Sequence, residues 1–125
     1  MPSKPPLHLI AEAVKAIHEE VLAAHGGSPG LRDVALLESA VAAPQATYGG
    51  EALLKDVVEI AAAYLFYLCS NHPFVDGNKR TGLVAMLAFL GLNGQRLEAL
   101  DDDVVDLVVG VAEGSVSVSV WTRAV

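Results

Sequence analysis

The chain has 125 residues, one domain's worth, and 53% of them are hydrophobic, so material for a core is ample. A formal net charge of -7 and a pI near 4.9 oppose binding to nucleic-acid phosphates and anionic membrane surfaces. Cys69 is the single cysteine, which excludes an internal disulfide.

Met1–Pro6 reads as a loose, proline-rich lead-in without the apolar segment of a signal peptide. Ile10, Val14, Ile17 and Val21 then recur at the spacing of one helical face, and Gly26–Gly27 stops that helix. GGSPGLRD is a turn, and Asp33 is placed to cap a second helix through Leu36, Leu37 and Val41, which Pro44 breaks. PQATYGG is expected to form a short extended or hairpin segment.

Glu51 to about Ser70 reads as a long helix, apolar on nearly every side after Ile60 and therefore central. After a loop, a second apolar helix is expected from about Lys79 to Leu92, ending at Asn93–Gly94. The longest apolar stretches surround Tyr64–Cys69 and Gly82–Leu92, and both fall short of the roughly 18 residues of a membrane span. Asp101–Asp103 can cap a further helix, Val104 to Glu113. The tail SVSVSVWTRAV alternates like a strand but has no strong strand to pair with, so a short helix or irregular arm is expected, with Trp121 packing it to the body. The expectation is a single all-α domain over residues 1–125, a compact helical bundle in the cytoplasm, whose reducing conditions suit a lone apolar-flanked thiol.

Polar chemistry concentrates in the loop His72–Gly82, HPFVDGNKRTG. Asn78, Lys79 and Arg80 open a helix, where unpaired N–H groups and roughly half a positive charge favour an anion. Gly77 removes a side chain that would keep the anion off the backbone, and Lys79 and Arg80 add positive charge. Two cations in a first helical turn oppose the macrodipole unless an anion offsets them. Together these are the ingredients of a phosphate site. Asp76 beside phosphates makes sense if Mg²⁺ bridges the two. His72 can serve as a general base, with Pro73 and Phe74 anchoring the loop. The plain alternative is a DGN turn followed by a solvated Lys–Arg pair. Elsewhere, His18 reads as a histidine hydrogen-bonded near the core, Arg32–Asp33 as turn-fixing and capping, Glu38 as a structural or solvent-facing group, and Cys69 as a small core residue.

HPFVDGNKR resembles the Fic/Doc superfamily motif H-x-F-x-D/E-G-N-x-R, and in particular the death-on-curing (Doc) toxins, which carry lysine after the asparagine. IHEEVLAAHGGSPGLRDVALLESAVAAPQATYGG and FLGLNGQRL resemble the flanking halves of that family, so the resemblance covers the chain from about Leu7. It implies His72 as the base that takes a proton from a target hydroxyl, Asp76 as the Mg²⁺ ligand, Gly77, Asn78 and Lys79 as the anion loop, and Arg80 as a catalytic phosphate clamp. Ala46, Thr47 and Tyr48 fall in the family's flap, which positions the target by backbone pairing.

AMP-transferring Fic proteins have G-N-G-R-x-x-R; here Lys79 and Leu83 replace the second glycine and the second arginine. Those departures imply the Doc reaction instead: transfer of the γ-phosphoryl group of ATP to a Ser/Thr hydroxyl, with elongation factor Tu as the implied target and translation as the process inhibited. The family's inhibitory motif S/T-x-x-x-E-G/N is not intact, because Ala52 follows Glu51, so a small separate antitoxin in a surface groove is the implied partner. An AMP-transferase and a non-catalytic partner-binding module are the alternatives.

Overall fold

The computed structural model describes residues 5–95, and the expected Val104–Glu113 helix and the 115–125 tail lie outside that range. The described chain is helical apart from one small hairpin. The order is α1 (Ala11–His25), α2 (Val34–Ala42), a 3-10 turn (Ala43–Gln45), β1 (Thr47–Tyr48), β2 (Glu51–Ala52), α3 (Val57–Asn71) and α4 (Asn78–Leu92).

α1 buries Val14, His18 and Val21, with Ile17 half-buried, and Gly26 ends it as expected. Ile10 departs from the expected face: it is the N-cap, in extended conformation, and is 65% exposed. Asp33 caps α2 by accepting from the Leu36 N–H at 3.1 Å. α2 ends at Ala42, before Pro44 as expected, and Pro44 is buried within the 3-10 turn that follows.

The expected Glu51–Ser70 helix begins six residues late, at Val57. Glu51–Ala52 folds back on Thr47–Tyr48 as an antiparallel pair across the Gly49–Gly50 turn. Asp56 then caps α3, its carboxylate accepting from the N–H groups of Val58 and Glu59 at 2.8 and 3.3 Å. The hairpin is solvent-exposed throughout, and Tyr48 is 82% exposed.

α3 is the central helix. It buries Ile60, Ala61, Ala62, Ala63, Tyr64, Leu65, Leu68 and Cys69 against α4, α2 and the 3-10 turn. α4 answers with Ala85, Met86, Phe89 and Leu90. Each large side chain removed from water in this way contributes about 1.5–3 kcal/mol. The two helices approach closely because Gly82 has no side chain: a Cβ there would stand 3.0 Å from Cys69 Sγ and 3.3 Å from the Leu65 carbonyl oxygen. The chain start is strapped across this core. Asn93 binds both backbone groups of Leu7, and the Tyr64 hydroxyl accepts from the Leu9 N–H and lies 2.8 Å from His8 Nδ1.

Candidate active site

The loop between α3 and α4 begins with a conformational oddity. His72, the C-cap of α3, lies in the left-handed region at φ 49° and is the one non-glycine residue there among those described. For an L-residue this costs about 1–2 kcal/mol. The GLRD turn holds it in place. Arg32 donates from its side chain to the carbonyl oxygens of His72 and Asn71, and the N–H groups of Arg32 and Asp33 donate to the Pro73 carbonyl at 2.7 and 3.1 Å. Val75 N–H donates to the Gly30 carbonyl at 3.0 Å, so residues 30–33 and 73–75 run side by side like short strands, bridged at Leu31 and Phe74.

Phe74 is buried, as expected for the loop's anchor, and stacks flat on the His18 ring at 3.8 Å. Asn78 turns its side chain back on the loop. Its amide oxygen accepts from the Phe74 N–H at 3.0 Å, and its amide nitrogen donates to the Phe74 carbonyl at 2.9 Å. What Asn78 has left for an anion is its backbone N–H. The same amide nitrogen lies 3.3 Å from His72 Nδ1. This is the longest of its three contacts, and the imidazole is exposed, so solvent can exchange the ring's tautomers and either nitrogen can be the basic one.

Asp76 is fixed at both its side chain and its main chain. Its carboxylate accepts from Gly77 N–H at 2.8 Å and from Ser28 N–H at 3.1 Å, and its carbonyl lies 2.8 Å from His18 Nε2. Next comes Gly77, the left-handed N-cap of α4 at φ 79°. No side chain caps this helix, in contrast to α2 and α3, each closed by an aspartate. The N–H groups of its first turn are therefore left without an intrahelical partner. Among the described residues neither Lys79 nor Arg80 has an ion-pair partner; the ion pairs join Lys15 to Glu12 and Lys55 to Glu51.

These groups share one cavity of about 550 Å³. It is lined by His72, Val75 and residues 76–80 from the loop and the start of α4, and by Val21, His25 and the Gly26–Gly27 pair that follows α1. That volume is in the range of small-ligand sites. The structure thus brings together His72, Asp76, Gly77, Asn78, Lys79 and Arg80, while Ala46, Thr47 and Tyr48 sit at the exposed hairpin, outside the cavity lining. Reading the sequence missed the wall contributed by Val21 and His25 and the holding roles of Ser28 and the Arg32 side chain.

Compared with known proteins, residues 8–90 match the Fic/DOC family model. The chain belongs to the Fic/Doc family. It is similar to the Protein kinase doc of Escherichia phage P1, at 36% identity over 113 residues, covering 90% of this chain and 87% of the relative. It is also similar to the Toxin Doc of Mycolicibacterium smegmatis, at 47% identity over 76 residues, 61% of this chain and 58% of the relative. Membership in the Fic/Doc family agrees with the helical fold and small hairpin of the described residues. No helix among the described residues is long and apolar enough to cross a membrane.

Whether the Fic/Doc loop seen here suits a divalent cation can be judged from its donors. Asp76 offers hard carboxylate oxygens at the cavity wall, each with lone pairs left after accepting one N–H. No group of three or more His, Cys, Asp or Glu side chains gathers among the described residues. One carboxylate beside an uncapped helix start fits Mg²⁺, which is usually held by one or two carboxylates together with substrate phosphates.

Proposed function

We propose that this protein is a Doc-type toxin that transfers the γ-phosphoryl group of ATP to a Ser/Thr hydroxyl of a target protein. The observation that carries the reading is the bare N-terminus of α4: uncapped N–H groups, Lys79 and Arg80 without ionic partners among the described residues, and a shared cavity with His72 and Asp76. The names of the two relatives, a protein kinase and a toxin, support it.

The N–H groups of the first turn of α4, with Lys79 and Arg80, bind the phosphates. Asp76 would hold Mg²⁺, which when bound neutralises phosphate charge. The target hydroxyl oxygen bonds to the γ-phosphorus as the bond to the β-phosphate oxygen breaks and ADP leaves. His72 receives the hydroxyl proton. Rate comes from positioning and charge stabilisation. Lys79 and Leu83 favour γ-phosphoryl over AMP transfer. A lysine side chain fills the space that a glycine would leave to an α-phosphate, and Leu83, packed against the core, offers no second guanidinium.

Tyr48 and its neighbours Ala46 and Thr47 would receive the target segment by backbone pairing at the exposed hairpin. The proposed target is elongation factor Tu, the consequence is arrested translation in the cytoplasm, and the proposed restraint is a small antitoxin in a surface groove. Intact-mass spectrometry of elongation factor Tu after incubation with the protein, ATP and Mg²⁺ tests this, with His72→Ala as control. One added phosphoryl group that vanishes in the variant is expected. One added AMP would overturn the assignment of Lys79 and Leu83. No mass change would overturn this target and move the assay to whole lysate.

A further inference from the structure

Asp76 is an exposed loop residue, yet a buried side chain reaches up from α1 to hold it. His18 is 4% exposed, its ring lies flat on Phe74 with an interplanar angle of 6°, and its Nε2 meets the Asp76 carbonyl oxygen at 2.8 Å. The Asp76–Gly77 peptide unit is thereby gripped at both ends: its C=O by His18, and its N–H by the Asp76 carboxylate at 2.8 Å. Ser28 N–H holds the other carboxylate oxygen. Gly27 leaves room for this arrangement, since a Cβ there would stand 2.9 Å from Asp76 Oδ2.

A phenylalanine or leucine would pack on Phe74 without the desolvation penalty of a buried imidazole. What the imidazole adds is a fixed peptide plane at the junction of the carboxylate and the anion-binding helix start. We infer that His18 is a positioning residue for the Asp76 metal site, orienting the carboxylate from behind through the backbone. The inference rests on the phosphotransfer reading, which makes Asp76 the Mg²⁺ ligand. Partners that orient a metal ligand commonly change metal affinity by about 10–100-fold when removed.

Two substitutions separate the donor from the ring. His18→Phe keeps the stack on Phe74 and removes the N–H; His18→Gln keeps an N–H at a similar reach and removes the ring. The readouts are the thermal midpoint, the Gly77 amide resonance in metal-free protein, and calorimetric titration of Mg²⁺ into protein mixed with a non-hydrolysable ATP analogue. In His18→Phe the fold is expected to persist, the Gly77 amide to shift, and the Mg²⁺ requirement to rise about tenfold. His18→Gln is expected to recover most of that loss while melting earlier. If His18→Phe does not fold, His18→Met, flexible and without a donor, takes its place. Wild-type Mg²⁺ dependence in the donor-less variant would overturn the inference and leave His18 a packing residue. A wild-type protein whose nucleotide binding ignores Mg²⁺, and in which Asp76→Asn changes nothing, would instead overturn the phosphotransfer reading beneath it.

Discussion

Arg32 Nε lies 2.7 Å from the carbonyl oxygen of His72, and Arg32 Nη2 lies 2.9 Å from that of Asn71. One guanidinium thus closes the C-terminus of α3, where the helix dipole is negative, and steadies the left-handed residue that bears the proposed base. Arg32→Ala is expected to lower stability by about 1–2 kcal/mol in chemical denaturation, in line with the worth of charge-assisted hydrogen bonds. The same change is expected to slow the proposed phosphoryl transfer by about tenfold or more, because a displaced His72 would no longer meet the target hydroxyl. Arg32→Lys should recover only part of both losses, since an ammonium lacks the fork that reaches two carbonyls.

Gly82→Ala tests the close approach of α3 and α4. The added methyl would meet Cys69 Sγ at 3.0 Å, Leu65 Cδ1 at 3.2 Å and the Leu65 carbonyl at 3.3 Å. Overpacking of this kind costs about 1–3 kcal/mol, which outweighs the gain in helix propensity of about 1 kcal/mol at most. A net fall in the thermal midpoint is expected. An unchanged or raised midpoint would show that the two helices can part without penalty.

Burial pushes the Cys69 thiol up to about 11, against a smaller opposing pull from Lys79. The thiolate is the reactive form, so it is scarce at neutral pH. The folded protein is expected to resist iodoacetamide under native conditions and to gain one adduct by mass when unfolded. Fast modification of the native form would place Cys69 outside the core.

His8 supplies a pH dependence. Burial lowers its pKa below the ordinary 6.5. The neutral ring can accept the Tyr64 hydroxyl proton at Nδ1. A depressed histidine pKa means the unfolded chain binds the proton more readily. The stabilisation is therefore complete above pH 6.5 and is lost as pH falls through the lower folded value. Thermal melts of wild type from neutral into mildly acidic solution should show a loss of stability that His8→Phe does not show.

The candidate site loop was legible because its chemistry is contiguous: nine adjacent residues, His72 to Arg80, carry the histidine, the carboxylate and the cations. The Asp33 cap and the Thr47–Tyr48 hairpin were equally local signals. The start of α3 was misplaced because Glu51–Asp56 is compatible with a helix by composition, and only the pairing of Glu51 with Tyr48 takes it away. Ile10 fitted the periodicity of α1 but fell one residue before its start. The use of the Asn78 side-chain amide on Phe74 is visible only once the loop has closed. Ser28, His18 and the Arg32 side chain were not legible as site residues, since nothing beside them in sequence says which distant carbonyl or carboxylate they meet.

The supports of the loop have a consequence for how the protein comes into being. His18, Ser28 and Arg32 reach the loop across 58, 48 and 40 residues of chain. Such contacts form late, after the closure entropy of long loops has been overcome. During synthesis the N-terminal half leaves the ribosome with its donors and no loop to bind. A fragment spanning Val57–Leu92 would carry the whole motif and none of these three outside holds. Competence at the cavity and completion of the α1–α4 fold are then one event, and a nascent or truncated chain carries the motif without the geometry.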